Sequence, residues 1–160
     1  MKKILFAVLV LILGCKEKKS IPMNLELKKR VYEVISKKID SKDSVFRFNE
    51  IVSDSRIDSG LLFNSYTSIH EVKSYLGEYE IAKYSNQVWV GENEELFLFK
   101  SGNNFIYYFI LDSLFIVPDL SKNVFPSNCL FNLKTINMSN YKKGAYLIPS
   151  CLESATSDYK

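Results

Sequence analysis

The chain has 160 residues, with 21 Lys and Arg against 18 Asp and Glu and a single histidine, for a net charge of +3. That near balance lacks the clustered basic excess that marks a nucleic-acid partner, and one imidazole, His70, cannot build within one chain a zinc site or relay that needs several. The length fits one domain that buries roughly 68–70% of its unfolded surface without metals or many disulfides, and 11 Phe, 10 Tyr and one Trp predict an aromatic-rich core.

Residues 1–15 read MKKILFAVLVLILGC: two lysines, ten apolar residues from Ile4 to Leu13, then Gly14 and Cys15. This is the layout of an export signal. Ten residues at about 1.5 Å rise span roughly 15 Å, half of a hydrocarbon core of about 30 Å, so the stretch is too short for a finished membrane span. Its end, Ile12-Leu13-Gly14-Cys15, resembles the lipobox of bacterial lipoproteins. The resemblance implies that residues 1–14 are removed, that the Cys15 thiol carries diacylglycerol and that the new amino group gains a further acyl chain. Two or more chains anchor a protein stably where one does not. The bland alternative is an ordinary secretory signal in which the cysteine is incidental. Loss of Lys2 and Lys3 with the signal brings the bases to within one of the acids, so the mature part is nearly neutral.

Residues 15–22, CKEKKSIP, read as a charged tether that holds Lys16, Lys18 and Lys19 near headgroups. By the same resemblance, the lack of Asp directly after Cys15 implies sorting to the outer membrane of a diderm cell. Residues 24–39 form an amphipathic helix in which Leu27, Val31, Val34, Ile35 and Ile39 recur at three- and four-residue steps, with Asn24 as N-cap. Interleaved charges such as Lys29 and Glu33 mark its solvated face. Residues 40–44 end it with turn formers.

Residues 45–52 alternate as a half-buried strand, and residues 53–60, SDSRIDSG, read as a polar loop. Asp54 and Asp58 lack a partner motif for a nucleophile or metal role. Ser68 and Glu71 have the spacing of a capping box and Gly77 that of a stop, which predicts a helix over 69–76. The run EVKSYLG at 71–77, followed by strand-like sequence with Trp89, is similar to a segment of SmpA/OmlA-type small outer-membrane lipoproteins. That resemblance implies helices preceding an antiparallel sheet.

From Tyr79 the runs YEIAKY, QVWVG, ELFLFK, NFIYYFIL and SLFIVP are short strands separated by turn residues, the punctuation of a meander. The acids Glu92, Glu94 and Glu95 gather near an expected hairpin tip; calcium binding is the sharper reading and a solvated turn the plainer one. Residues 119–127 form a loop, residues 129–133 and 145–148 two more strands, and residues 153–160 a disordered tail. Cys129 and Cys151 either bridge or remain two buried thiols. A catalytic His70 with one of these cysteines is conceivable, but oxidation would silence the thiol.

The expected fold class is thus α+β: N-terminal amphipathic helices packed on an antiparallel β-meander sheet of five to seven strands, in one domain over 23–152. No phosphate loop, metal cluster or nucleophile elbow is visible, so no cofactor is expected. Function is expected to be that of a membrane-anchored envelope lipoprotein acting as a non-enzymatic binding or structural module. Its partners would be the membrane, through lipid on Cys15, and an envelope protein or glycan met by Trp89, Tyr107, Tyr108 or the acids Glu92, Glu94 and Glu95. Alternatives are a periplasmic immunity or inhibitor lipoprotein whose acidic hairpin plugs a toxin or hydrolase, and a small envelope hydrolase.

Overall fold

A computed structural model describes residues 17–41, 45–52, 54–112, 115–116, 124–137 and 143–151. Cys15, the expected signal stretch 1–14 and the expected tail 153–160 lie outside the described residues. Within them the chain is a mixture of helix and largely antiparallel sheet. No described helix is long and apolar enough to cross a membrane.

The chain enters the fold through β1 (Lys19–Ser20), which pairs in parallel with β4 (Tyr79–Glu80). Lys19 N and Ile21 N donate to the carbonyls of Glu78 and Glu80 at 2.9 Å, and Ile21 is buried. The expected tether over 15–22 is therefore shorter: backbone pairing and burial of Ile21 make everything from Lys19 part of the domain. Helix α1 (Leu25–Ser41) follows, and the Asn24 side chain accepts from Leu27 N at 2.9 Å as its cap. Leu27, Val31 and Ile35 are buried, the inward stripe of a 3.6-residue period.

Strand β2 covers only Val45–Arg47 and gives way to the one-turn helix α2 (Phe48–Ile51). Continued alternation would have put Phe46 and Ile51 on opposite faces; the helical turn buries both in one core. Strand β3 (Ser59–Phe63) takes over the last two residues of the expected polar loop, Ser59 and Gly60. Helix α3 (Ile69–Leu76) begins with Ser68 Oγ accepting from His70 N at 3.2 Å and ends at Gly77, whose φ of 59° a side chain rarely tolerates. After β4, residues Ala82–Tyr84 make a 3₁₀ turn, so YEIAKY is not one strand. The turn brings Ile81 and Tyr84, three apart, into the same cluster.

Strands β5 (Glu94–Ser101) and β6 (Asn104–Asp112) form a hairpin turning at Gly102, where φ is again positive. Further on come β7 (Phe115–Ile116), β8 (Val124–Pro126), β9 (Leu130–Asn137) and β10 (Lys143–Pro149). They divide into two four-stranded sheets, ordered β6-β5-β3-β8 and β2-β9-β10-β7. All pairings in the first are antiparallel; in the second, β10 and β7 run parallel.

The first sheet is apolar on both faces, and a core lies on each. One core gathers Phe97, Phe99, Phe109 and Leu111 with α1 and with Phe46, Phe131 and Leu147 of the second sheet. The other gathers Leu96, Leu98, Phe105, Tyr108 and Ile110 with Ile69, Val72 and Leu76 of α3. A register shift beside Phe99 and Lys100 leaves an extra residue in β6, which lets Phe105 and Tyr108 share a face despite their odd spacing. Cys129 and Cys151 are joined in a disulfide with Cα atoms 5.3 Å apart, closing a loop of sequence separation 22 around β9 and β10.

Candidate functional site

Two hollows open on opposite faces of the first sheet. The polar one, about 190 Å³, is walled by Glu26 and Arg30 from α1, Asp54 beyond α2 and Tyr107 from β6, with Leu27, Ile51 and Val52 as its apolar floor. The helical cap puts Glu26 in the first turn of α1 and Arg30 one turn later, so both project along the same edge. Arg56 grips Asp54 through two donors, at 2.9 and 2.6 Å, and holds that carboxyl down at about 2. The Tyr107 ring packs 5.4 Å from Phe99, and burial, then the Asp54 charge, pushes its hydroxyl up to about 12. Tyr107 is thus an un-ionised donor beside paired charges, on an apolar base. This arrangement can hold a polar segment through hydrogen bonds and ion pairs.

The second hollow, about 240 Å³, is a groove between α3 and the 3₁₀ turn. Its floor is Ile69, Val72, Leu76 and Ile81, and Lys18, Lys73 and Glu80 stand at its rim.

Residues 66–69 and 88–90 are tied together by backbone bonds: Tyr66 N to Val90 O at 3.0 Å, Val90 N to Thr67 O at 2.9 Å and Ile69 N to Val88 O at 2.8 Å. QVWVG is therefore an isolated bridge, Ser68 to Trp89, rather than a strand of the sheet. Its side chains stand out: Val88 is 65% exposed, Trp89 54% and Tyr66 60%.

Of the residues expected to meet a partner, Trp89 is on the surface and Tyr107 borders the polar hollow. Tyr108 is buried, which corrects that expectation: its side chain packs into the core with Leu98, Ile110 and α3, while residues 22–24 lie along the free edge of β6, with Tyr108 N donating to Pro22 O and Asn24 N to Tyr108 O. The acidic hairpin tip is corrected as well, because Glu94 and Glu95 belong to β5 and face opposite sides of it. Glu94 binds the Lys83 ammonium and the Tyr84 hydroxyl. Glu95 is 5% exposed, with one oxygen near Ser65 Oγ at 3.5 Å and Oε2 without a partner among the described residues. Burial raises its carboxyl to about 8. Only Glu92 of the three acids remains exposed.

Asp58 is held by the hairpin turn: Gly102 N donates to it at 2.6 Å and Ser59 Oγ at 2.7 Å, and the Gly102 bond leads in keeping its carboxyl below the usual range. Among the described residues, no group of three or more His, Cys, Asp and Glu is placed to hold a metal ion. The polar hollow escaped sequence reading because Glu26 and Tyr107 are far apart in the chain and meet only through packing of α1 on β6. Glu95 was recoverable, since it shares strand parity with Phe97 and Phe99. Comparison with known proteins finds no family model, no curated protein and no solved structure that matches the chain.

Proposed function

We propose that this chain is an envelope lipoprotein, anchored through lipid on Cys15, whose domain works as a non-enzymatic binding module with the polar hollow at Tyr107 as its partner site. In this reading the amphipathic α1 and α3 are layers on the two faces of the antiparallel sheet, and the anchor belongs to the outer membrane of a diderm cell. The observation that carries it is the sequence Leu13-Gly14-Cys15 followed, from Lys19, by a domain with no long leash. The hollow adds a hydrogen-bonding aromatic flanked by Glu26, Arg30 and Asp54, which suits a protein segment or glycan. The inhibitor reading loses its plug, since Glu94 and Glu95 are engaged within the fold. A hydrolase using Cys129 or Cys151 has no thiol to offer while the two are bonded.

A photo-crosslinking residue placed at Tyr107 in cells is expected to give a discrete envelope adduct that is absent when the same residue stands at the exposed Lys134. Arg30→Glu should weaken that adduct roughly tenfold, because it reverses an exposed charge on the wall of the hollow and would repel a partner placed to meet Arg30. No adduct at Tyr107, or the same adducts at both positions, would count against the site.

A further inference from the structure

The anchor alone does not decide which side of the domain meets the bilayer, but the fold constrains it. We infer that the α3 face is the membrane-facing surface, with the groove at Lys18 and the Val88–Trp89 bridge lying against phospholipid and the Tyr107 hollow turned toward water. This rests on the reading that Cys15 carries lipid.

The first argument is reach. Lys18 lies three residues from Cys15, so their Cα atoms can be separated by at most about 11 Å. Lys18 itself lines the groove, and the next residue is already hydrogen-bonded into β1. With Ile21 buried directly behind it, the only slack is the reach of residues 15–18, which favours this face over the opposite side of the domain. The bilayer surface must therefore lie within about one turn of extended chain from this groove.

The second argument is what stands exposed there. Ile69 at the far end of the groove donates its N–H to Val88 O, so the groove runs from Lys18 to the base of the bridge. At that end Tyr66, Val88 and Trp89 project into solvent, each more than half exposed. Trp and Tyr at such positions match the boundary between headgroups and hydrocarbon, where one part of the ring is apolar and its polar atom stays hydrated.

Charge neither drives nor opposes the arrangement. Lys19 is paired with Glu78 at 2.7 Å, and Lys18 and Lys73 share the lining of the groove with Glu80. Any attraction of these lysines to an anionic surface is secondary to the lipid anchor. The face therefore sets orientation, while the lipid supplies affinity. Tyr107 packs with Phe99 in the core on the other side of the sheet from Phe105 and Tyr108, so binding this way leaves the polar hollow accessible.

Trp89 is the chain's one tryptophan, which makes the test direct. Full-length protein purified from membranes, its lipid verified by intact mass, is reconstituted into phosphatidylethanolamine–phosphatidylglycerol vesicles with or without lipids brominated on the upper acyl carbons. Trp89 emission is expected to shift to the blue and to fall at least about twofold with the brominated lipid, as for a ring at the interface. In a Trp89→Phe, Tyr107→Trp protein the emission should be insensitive to bromine. Lipidated, vesicle-bound protein with unquenched Trp89, or equal quenching at position 107, overturns the orientation. Failure of the anchor itself looks different: no lipid mass and no flotation with vesicles.

Discussion

Replacing Glu95 by Gln is expected to stabilise the protein increasingly as pH rises from 4.5 to about 8, and to change little below that window. Glu95 is buried on β5, opposite Leu111 across the strand pair and on the face shared with Phe97, and burial lifts its carboxyl from 4.5 to about 8. The native state therefore holds a proton that the unfolded chain releases. Wherever the folded form binds more protons, stability falls with rising pH. The wild type should thus lose stability from about pH 4.5 until its folded carboxyl ionises near pH 8, and then level off. At 1.36 kcal/mol per unit, the loss by neutrality is on the order of 3 kcal/mol. Gln keeps the neutral shape and offers an amide beside Ser65, whose Oγ lies 3.5 Å from the Glu95 carboxyl. At pH 7 its unfolding midpoint should lie roughly 6 to 12 °C above wild type, from about 2 to 4 °C per kcal/mol at this size. Parallel stability curves across the window would show that Glu95 is ionised in the fold.

The second large effect concerns Gly60. A methyl group there would lie within 3.0 Å of three atoms of the Phe125 ring, which covers the glycine where β8 pairs with β3. The ring in turn meets Phe97, Phe99 and Phe131 edge-on, so it has no free direction in which to move. Gly60→Ala should cost roughly 2 to 3 kcal/mol through overpacking, and Phe125→Ala roughly 3 to 5 kcal/mol through the cavity it leaves. Combined, the added methyl occupies part of that cavity. The double variant should be less destabilised than the two losses added, by at least about 1 kcal/mol. Denaturant unfolding of the three variants measures this, and simple additivity would contradict the stacked geometry.

These two residues also show how far the sequence could be read. Gly60 looked like the end of a polar loop because residues 53–60 are rich in Asp, Ser and Gly, while Leu61, Leu62 and Phe63 carry no alternation to mark a strand. A strand buried on both faces has no reason to alternate. Its partner Phe125 comes from β8, more than sixty residues on, and no local signal joins them. Helices α1 and α3 were legible because capping by Asn24 and Ser68 and the spacing of their apolar residues act within a few positions. The β5–β6 hairpin was legible for the same reason, through Gly102. The division into two sheets, the parallel pairings β1–β4 and β10–β7 and the pairing of residues 22–24 with the edge of β6 at Tyr108 are all long-range. Of the candidate site, the aromatic Tyr107 could be named, but its companions Glu26, Arg30 and Asp54 are assembled only by packing.

The claim on which the functional account turns is the lipid on Cys15. Intact-mass analysis of the protein extracted from cell membranes tests it without reference to any partner. The account predicts a chain that begins at Cys15 and carries the added mass of a diacylglyceryl group and a further acyl chain. A chain that retains residues 1–14, or a soluble product whose Cys15 is unmodified, would contradict it.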